Sequence, residues 1–238
     1  MRQGPDITRI AEAIGDPARA AMMQALMGGQ ALTARELAEA AGVAPSTASA
    51  HLARLDGAGL VWPRRQGRHR YFAIAGEEVA AALEALAGLA ASCGHLRSRP
   101  GPKEAELRAA RSCYDHLAGT LAVSICDAMA AAGHLQLERD AVALTASGRD
   151  LAAALGIVAG AFQSNGRPEI RLCLDWSERR SHLAGAFGAA LFARFLDTGW
   201  LRRQSGGRHL ALTPAGRAGI ARAFGAQVFD PARAAPRA

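Results

Sequence analysis

Cysteine is scarce in this sequence: 238 residues hold four, at positions 93, 113, 126 and 173, and no two of them form a CxxC pair. That argues against a disulfide framework and leaves free thiols as the expectation, one of them a candidate for reactivity. Long apolar runs are missing as well. The longest, "LAAALGIVAGAF" and "LAGAFGAALF", fall far short of the roughly 20 residues a membrane-spanning helix needs, so they read as buried or interface helices. The opening "MRQGPDITRIAEAIGD" is amphipathic and carries acids, unlike a secretory leader, which predicts a cytoplasmic protein. No glycine-rich nucleophile elbow or phosphate loop is found, which weighs against an enzyme. Lysine is nearly absent: of 28 basic residues, only Lys103 is not arginine.

Half of the residues are apolar, enough for a globular core, and the length suits one large domain or two small ones. The net charge of +7 is unevenly placed. Up to residue 95 there are nine basic and nine acidic residues, so any nucleic-acid binding there must rest on local placement.

That placement is visible. Ile7, Ile10, Ala11 and Ile14 recur at helical spacing, "GDP" interrupts, and a second helix is predicted from about Ala18 to Met27. Thr33 with Glu36 three residues on forms a capping box that opens "ARELAEAA". Gly42 supplies a left-handed turn, Pro45 suits a first helical turn, and "STASAHLARLDGAG" follows. Two short helices with Leu37, Ala38, Val43, Ala48, Leu52 and Leu55 as their apolar set make a helix-turn-helix. Its second helix offers Ser46, Thr47, Ser49 and His51 to a major groove, with Arg54 for phosphate. Next, "GLVWPRRQGRHRYFAI" reads as two strands with Gly67 at the tip, and no acid interrupts Arg64, Arg65, Arg68 and Arg70. Four positive charges on a hairpin beside a recognition helix suit phosphates or a minor groove.

The stretch "LAEAAGVAPSTASAHLARLDGAGLVWPRRQGRHRYFAI" resembles the ArsR/SmtB family of bacterial winged-helix repressors. The resemblance spans about residues 6 to 94. It implies a homodimer built on the first helix and on the helix after the wing, about Glu77 to Ala91, whose Val79, Ala82, Leu83, Leu86 and Leu89 fit a dimer seam. It also implies double-stranded DNA with a pseudo-palindromic operator as partner. The cysteines that many metal-sensing members carry in the first helix of the helix-turn-helix are missing from "ARELAEAA", and the seam helix lacks a His and carboxylate set, so neither usual metal site carries over.

Beyond "LRSRPGPK", residues 96–103, which reads as a linker, the chain repeats itself at an offset of 66. Leu117, Ala118, Gly119, Gly133 and Leu135 return as Leu183, Ala184, Gly185, Gly199 and Leu201, and "ALTASGR" is echoed by "ALTPAGR". Each copy reads as a helix, a glycine stop, two short strands and another helix. Arg202, Arg203 and Arg208 make the last hairpin basic.

The predicted fold is mainly α with small β-hairpin wings. It comprises a winged helix-turn-helix over 1–95, the linker, a region of two degenerate winged-helix-like repeats over 104–226, and a disordered tail over 227–238.

On a helix expected from about Lys103 to Ala132, Cys113 and His116 would share a face. The second copy supplies "CLDWSERRSHLAG" with Cys173, Asp175, Trp176 and His182. Cys113, Tyr114, Asp115 and His116 together with these four are the candidate effector-binding residues. Four readings stay open: packing of small buried cysteines, an organic pocket that also draws on Phe187 and Phe192, a metal held by Cys113, His116, Cys173 and His182, or a redox-sensing thiol. A soft metalloid would want Cys126 as a third thiol.

The function expected is a DNA-binding regulator, a homodimeric repressor whose C-terminal region senses a small effector. Two alternatives remain: an enzyme with Cys113 or Cys173 as nucleophile, and an architectural DNA-binding protein without an effector.

Overall fold

The computed structural model describes residues 4–66, 69–95, 102–138, 141–158, 160, 167–204 and 207–230. The chain divides into two compact units, Met1–Leu83 and Glu84–Ala238.

In the first unit, α1 (Ile7–Ile14) and α2 (Pro17–Leu26) are each opened by an aspartate. The carboxylates of Asp6 and Asp16 accept backbone N–H groups that the first turn leaves unpaired. A short strand β1 (Leu32–Thr33) precedes α3 (Ala34–Ala41) and α4 (Pro45–Gly57). The wing is β2 (Val61–Gln66) and β3 (His69–Ile74), and β1 joins it antiparallel in the order β1-β3-β2, a third strand that two residues were too short to announce. The capping box forms as the sequence predicts: the Glu36 N–H donates to Thr33 Oγ1, and Glu36 accepts from the Thr33 N–H at 2.7 Å. Gly42 closes α3 in the left-handed region at φ 65°, and Pro45 stands in the first turn of α4. Met22, Met23, Leu26, Leu37, Leu52 and Leu55 are fully buried, and this core fixes the angle between α3 and α4. Replacing Thr33 by alanine should remove about 1 kcal/mol of stability, read as a lowered urea midpoint at unchanged slope.

Helix α5 (Glu77–Ser92) follows the wing, and the boundary between the units falls inside it rather than at residue 95 as expected. Residues 96–101 of the expected linker lie outside the described residues, and residues 102 and 103 already belong to a helix, α6 (Pro102–Ala109).

The second unit corrects the sequence reading at its start. No single helix runs from Lys103 to Ala132: after α6 the chain forms a hairpin of β4 (Arg111–Cys113) and β5 (His116–Ala118), and only then α7 (Thr120–Ala131). A hairpin β6 (Leu135–Glu138) and β7 (Ala141–Leu144) and helix α8 (Ala146–Ala154) complete the first copy. The same order returns as hairpin β8 (Arg171–Leu174) and β9 (Ser181–Ala184), helix α9 (Gly185–Asp197), hairpin β10 (Leu201–Arg203) and β11 (Leu210–Leu212), and helix α10 (Pro214–Phe224). Each copy thus begins one hairpin earlier than its sequence suggests. Strands of three or four residues cannot stand alone. They are held by exchange: β5 packs on α9 of the other copy, and β9 packs on α7. One core, with Leu121, Ile125, Met129, Phe187, Leu191 and Phe195 at its centre, serves both copies.

The expectation of a tail from residue 227 is also corrected. Ala226–Phe229 form a 3-10 turn with Val228 buried in that core, because an apolar pair at the end of α10 has a place to go; residues 231–238 lie outside the described residues. Among the described residues no helix is long and apolar enough to cross a membrane.

Candidate functional site

Two groups of side chains stand out, one in each unit. In the first, α4 buries Ala48, Leu52 and Leu55 and leaves Ser46, Thr47, Ser49 and Arg54 exposed, a helix with one face for the core and one for a ligand. Ser49 Oγ donates back to the Pro45 carbonyl at 3.0 Å. His51 differs from its expected role. Its Nδ1 lies 3.3 Å from Arg19 Nη1 and its Nε2 lies 3.9 Å from Asp16, so the ring is half-buried and ties α4 to α2 instead of facing outward.

On the wing, Arg64 and Arg65 are exposed, and Arg65 stands directly opposite Arg70 in the β2–β3 register. Like charges facing across a strand pair repel. Only part of that repulsion is offset, by the ion pair of Arg70 with Asp56 at 3.4 Å. Arg64 lies over the Trp62 ring, with Trp62 itself 57% exposed. Arg68 lies outside the described residues. The geometry is that of a cationic edge suited to a polyanion.

In the second unit the sequence candidates converge. One ligand atom from each of Cys113, His116, Cys173 and His182 falls in a group whose members all lie within 4.8 Å of one another, and all four residues are buried. The hairpins bring this about: Cys113 pairs with His116 across β4–β5, and Cys173 with His182 across β8–β9. The two imidazoles stack at 5.1 Å between centroids.

The surroundings are built to orient the rings. His116 Nδ1 donates to Asp115 Oδ1 at 3.1 Å, and Asp115 is held by Arg167 at 2.7 Å. His182 Nδ1 lies 3.5 Å from Asp175 Oδ2. Asp175 in turn accepts from the Gly119 N–H at 2.7 Å and from Ser177, and pairs with the fully buried Arg111 at 2.9 Å. Burial disfavours the Asp175 charge, but Arg111, Ser177 and the Gly119 N–H overcome it and hold the carboxyl well below the usual range. Nε2 of both histidines is buried with no hydrogen-bond partner.

The two thiols differ. Its hydrogen bond from Cys113 and the two neighbouring imidazoles pull Cys173 far below the ordinary thiol range, whereas that same bond, with burial, pushes Cys113 up. Cys126 stands apart in the core on α7, pushed up to about 12 by burial, so the three-thiol arrangement is not what the fold assembles. Cys113 and Cys173 are 1% and 7% exposed, which gives a substrate no approach to either sulfur and weighs against a nucleophile.

The remaining candidates separate. Tyr114 occupies the β4–β5 turn at φ 59°, one of two non-glycine residues in the left-handed region among the described residues; the other, Arg179, lies in the connection from β8 to β9. Strain of this kind costs about 1–3 kcal/mol and collects at functional sites. Phe187 and Phe192 are core residues, and Trp176 lies beneath the guanidinium of Arg111 at 4.9 Å, so the aromatic set does not line one opening. An apolar groove of about 380 Å3 does exist elsewhere in this unit, with Leu121, Leu210, Leu212, Val228 and Phe229 among its walls.

Sequence reasoning missed Arg111 and Arg167 as partners of the two aspartates. A signal was present for Arg111 alone: "RSCYD" at 111–115 and "RLCLD" at 171–175 repeat arginine, cysteine and aspartate at an offset of 60, and Arg167 lies outside the repeat.

The chain is similar to known proteins in ways that agree with this architecture. A family model described as a helix-turn-helix domain matches residues 14–62. YdfF of Bacillus subtilis strain 168, described as an uncharacterized HTH-type transcriptional regulator, is 35% identical over 213 residues, which cover 90% of this chain and 94% of that protein. Among solved structures, the homodimeric winged helix-turn-helix domain of Mb0332 from Mycobacterium bovis, a possible ArsR-family regulator, is 27% identical. That match covers 42% of this chain and 100% of that one, with a TM-score of 0.35. The cadmium sensor CMTR of Mycobacterium tuberculosis is 34% identical over 34% of this chain and 82% of its own, with a TM-score of 0.31. The relationship to YdfF runs through both units, and with it the chain belongs to the family of HTH-type transcriptional regulators.

Proposed function

We propose that this regulator is a homodimeric repressor that reads a pseudo-palindromic operator with α4, grips the flanking phosphates with its wing, and responds to an effector through its second unit. The observation that carries the reading is the exposed row Ser46, Thr47 and Ser49 on a helix whose other face is locked into the core, followed by the facing arginines Arg65 and Arg70. Small polar side chains let a helix enter the major groove, and the arginines neutralise backbone charge. Dimerisation is supported by apolar side chains left open to water: Ile7 and Ile10 on α1 are 76% and 40% exposed, and Leu86 and Leu89 on α5 are 44% and 59% exposed.

The test is fluorescence anisotropy on the DNA upstream of the protein's own gene, across a series of salt concentrations. Binding should be sequence-selective and steeply salt-dependent, and an Arg65→Ala/Arg70→Ala variant should lower the log–log salt slope by about 2. An unchanged slope removes the wing from the interface; no selective binding at any salt overturns the reading. A Leu86→Glu/Leu89→Glu variant should run as a monomer by light scattering and lose operator affinity with it.

A further inference from the structure

The structure assigns Cys113, His116, Cys173 and His182 as the four ligands of one thiophilic divalent cation of the zinc type, clamping the two copies of the duplicated unit together. This rests on the reading of that unit as the responsive part of the regulator.

Four observations converge on it. The ligand atoms are two sulfurs and two imidazole nitrogens, the donor set that a tetrahedral d10 ion prefers over harder cations. Asp115 holds His116 Nδ1 at 3.1 Å and leaves its Nε2 as the free lone pair, and Asp175 stands 3.5 Å from His182 Nδ1, near enough to orient that ring although neither of its nitrogens has a hydrogen bond. That carboxylate–imidazole arrangement is how metal-bound histidines are oriented. Both Nε2 atoms are buried with no hydrogen-bond partner, a state costly enough in a dry interior that it asks for a partner. The charge balance fixes the cation. Asp115 and Asp175 are already paired with Arg167 and Arg111, so two thiolates and two neutral imidazoles carry a charge of −2 that a divalent ion cancels.

A Cys113–Cys173 disulfide is the competing use of the same sulfurs. It would leave both Nε2 atoms unpaired in the core. With four protein ligands and no open position, the site holds its ion without activating water or substrate. Since β4–β5 and β8–β9 come from different copies, metal binding bolts the two hairpins together, and with them the exchange of β5 onto α9 and β9 onto α7.

The experiment uses the full chain, reduced, stripped with chelator and titrated with Co2+ as a spectroscopic probe, then with Zn2+. One Co2+ should bind per chain, with the intense visible d–d bands of a tetrahedral site and thiolate-to-metal charge transfer in the near ultraviolet, and Zn2+ should bleach both. Cys113→Ser and Cys173→Ser should each weaken or remove the charge-transfer band. Asp115→Asn, at the partly exposed end of the orienting network, should keep the spectrum and weaken affinity about 10- to 100-fold. No stoichiometric Co2+ uptake, a charge-transfer band unaltered in both serine variants, or a chelator-resistant mass two hydrogens lighter than the reduced chain overturns the assignment. Operator binding is read in the same samples. Metal uptake with operator affinity unmoved supports the site and removes only its regulatory use; operator binding without metal uptake overturns the site and leaves the DNA-binding reading standing.

Discussion

Replacing Asp175 by alanine is expected to cost about 3–5 kcal/mol and to unfold the second unit at far lower urea than the wild type. The reason is the company this carboxylate keeps. Arg111 and Asp175 are both inaccessible to solvent and lie 2.9 Å apart. Removing the anion leaves a buried guanidinium whose remaining contacts are Ser177, the Leu107 carbonyl and the face of Trp176. The Gly119 N–H and the backbone of Ser177 and Glu178 lose their acceptor in the same step. Tryptophan fluorescence reads the result selectively, because Trp176 and Trp200 belong to this unit and Trp62 to the other. A loss below about 1 kcal/mol would show that water or a rearranged partner replaces the carboxylate.

Gly119→Ala should be nearly as damaging, by about 2–5 kcal/mol, for an unrelated reason. Gly119 joins β5 to α7 at φ 93°, and a β-carbon there would sit 2.5 Å from the Arg108 carbonyl oxygen, a backbone atom that cannot step aside. Gly133 provides the control. It also has a positive φ, 72°, but nothing lies within 4 Å of its would-be β-carbon, so Gly133→Ala should cost only about 1 kcal/mol of backbone strain. Equal losses at the two positions, measured by denaturant midpoints, would mean that backbone conformation alone, and not close approach to α6, explains Gly119.

The first unit was legible in the sequence because its signals are local. The capping box at Thr33, the left-handed Gly42, Pro45 and the apolar spacing of α4 each specify a conformation within a few residues, and the structure has them in those places. His51 was misplaced because its partners, Asp16 and Arg19, come from α2, 32 residues away in the case of Arg19.

In the second unit the order of elements that returns twice was legible in part, but the hairpin that opens each series was not. A cysteine and a histidine three residues apart share a face on a helix, and they are also directly opposed across a two-residue hairpin turn. Strands of three residues are too short to show alternation, so the first copy alone does not decide between the two. The second copy does. Cys173 and His182 are nine residues apart yet pair in the same register, and a spacing that changes while the pairing holds belongs to a hairpin with a variable loop. The convergence of the four side chains then depends on how the two hairpins pack, which neither segment states by itself.

Whether α4 and the wing read DNA as a two-fold pair is decided by a footprint on the upstream DNA. The expected result is two protected half-sites centred about 10–10.5 base pairs apart, or a multiple of that, lost together when Thr47 and Arg54 are replaced by alanine. Uniform protection without half-sites, or protection unchanged by those substitutions, would contradict it.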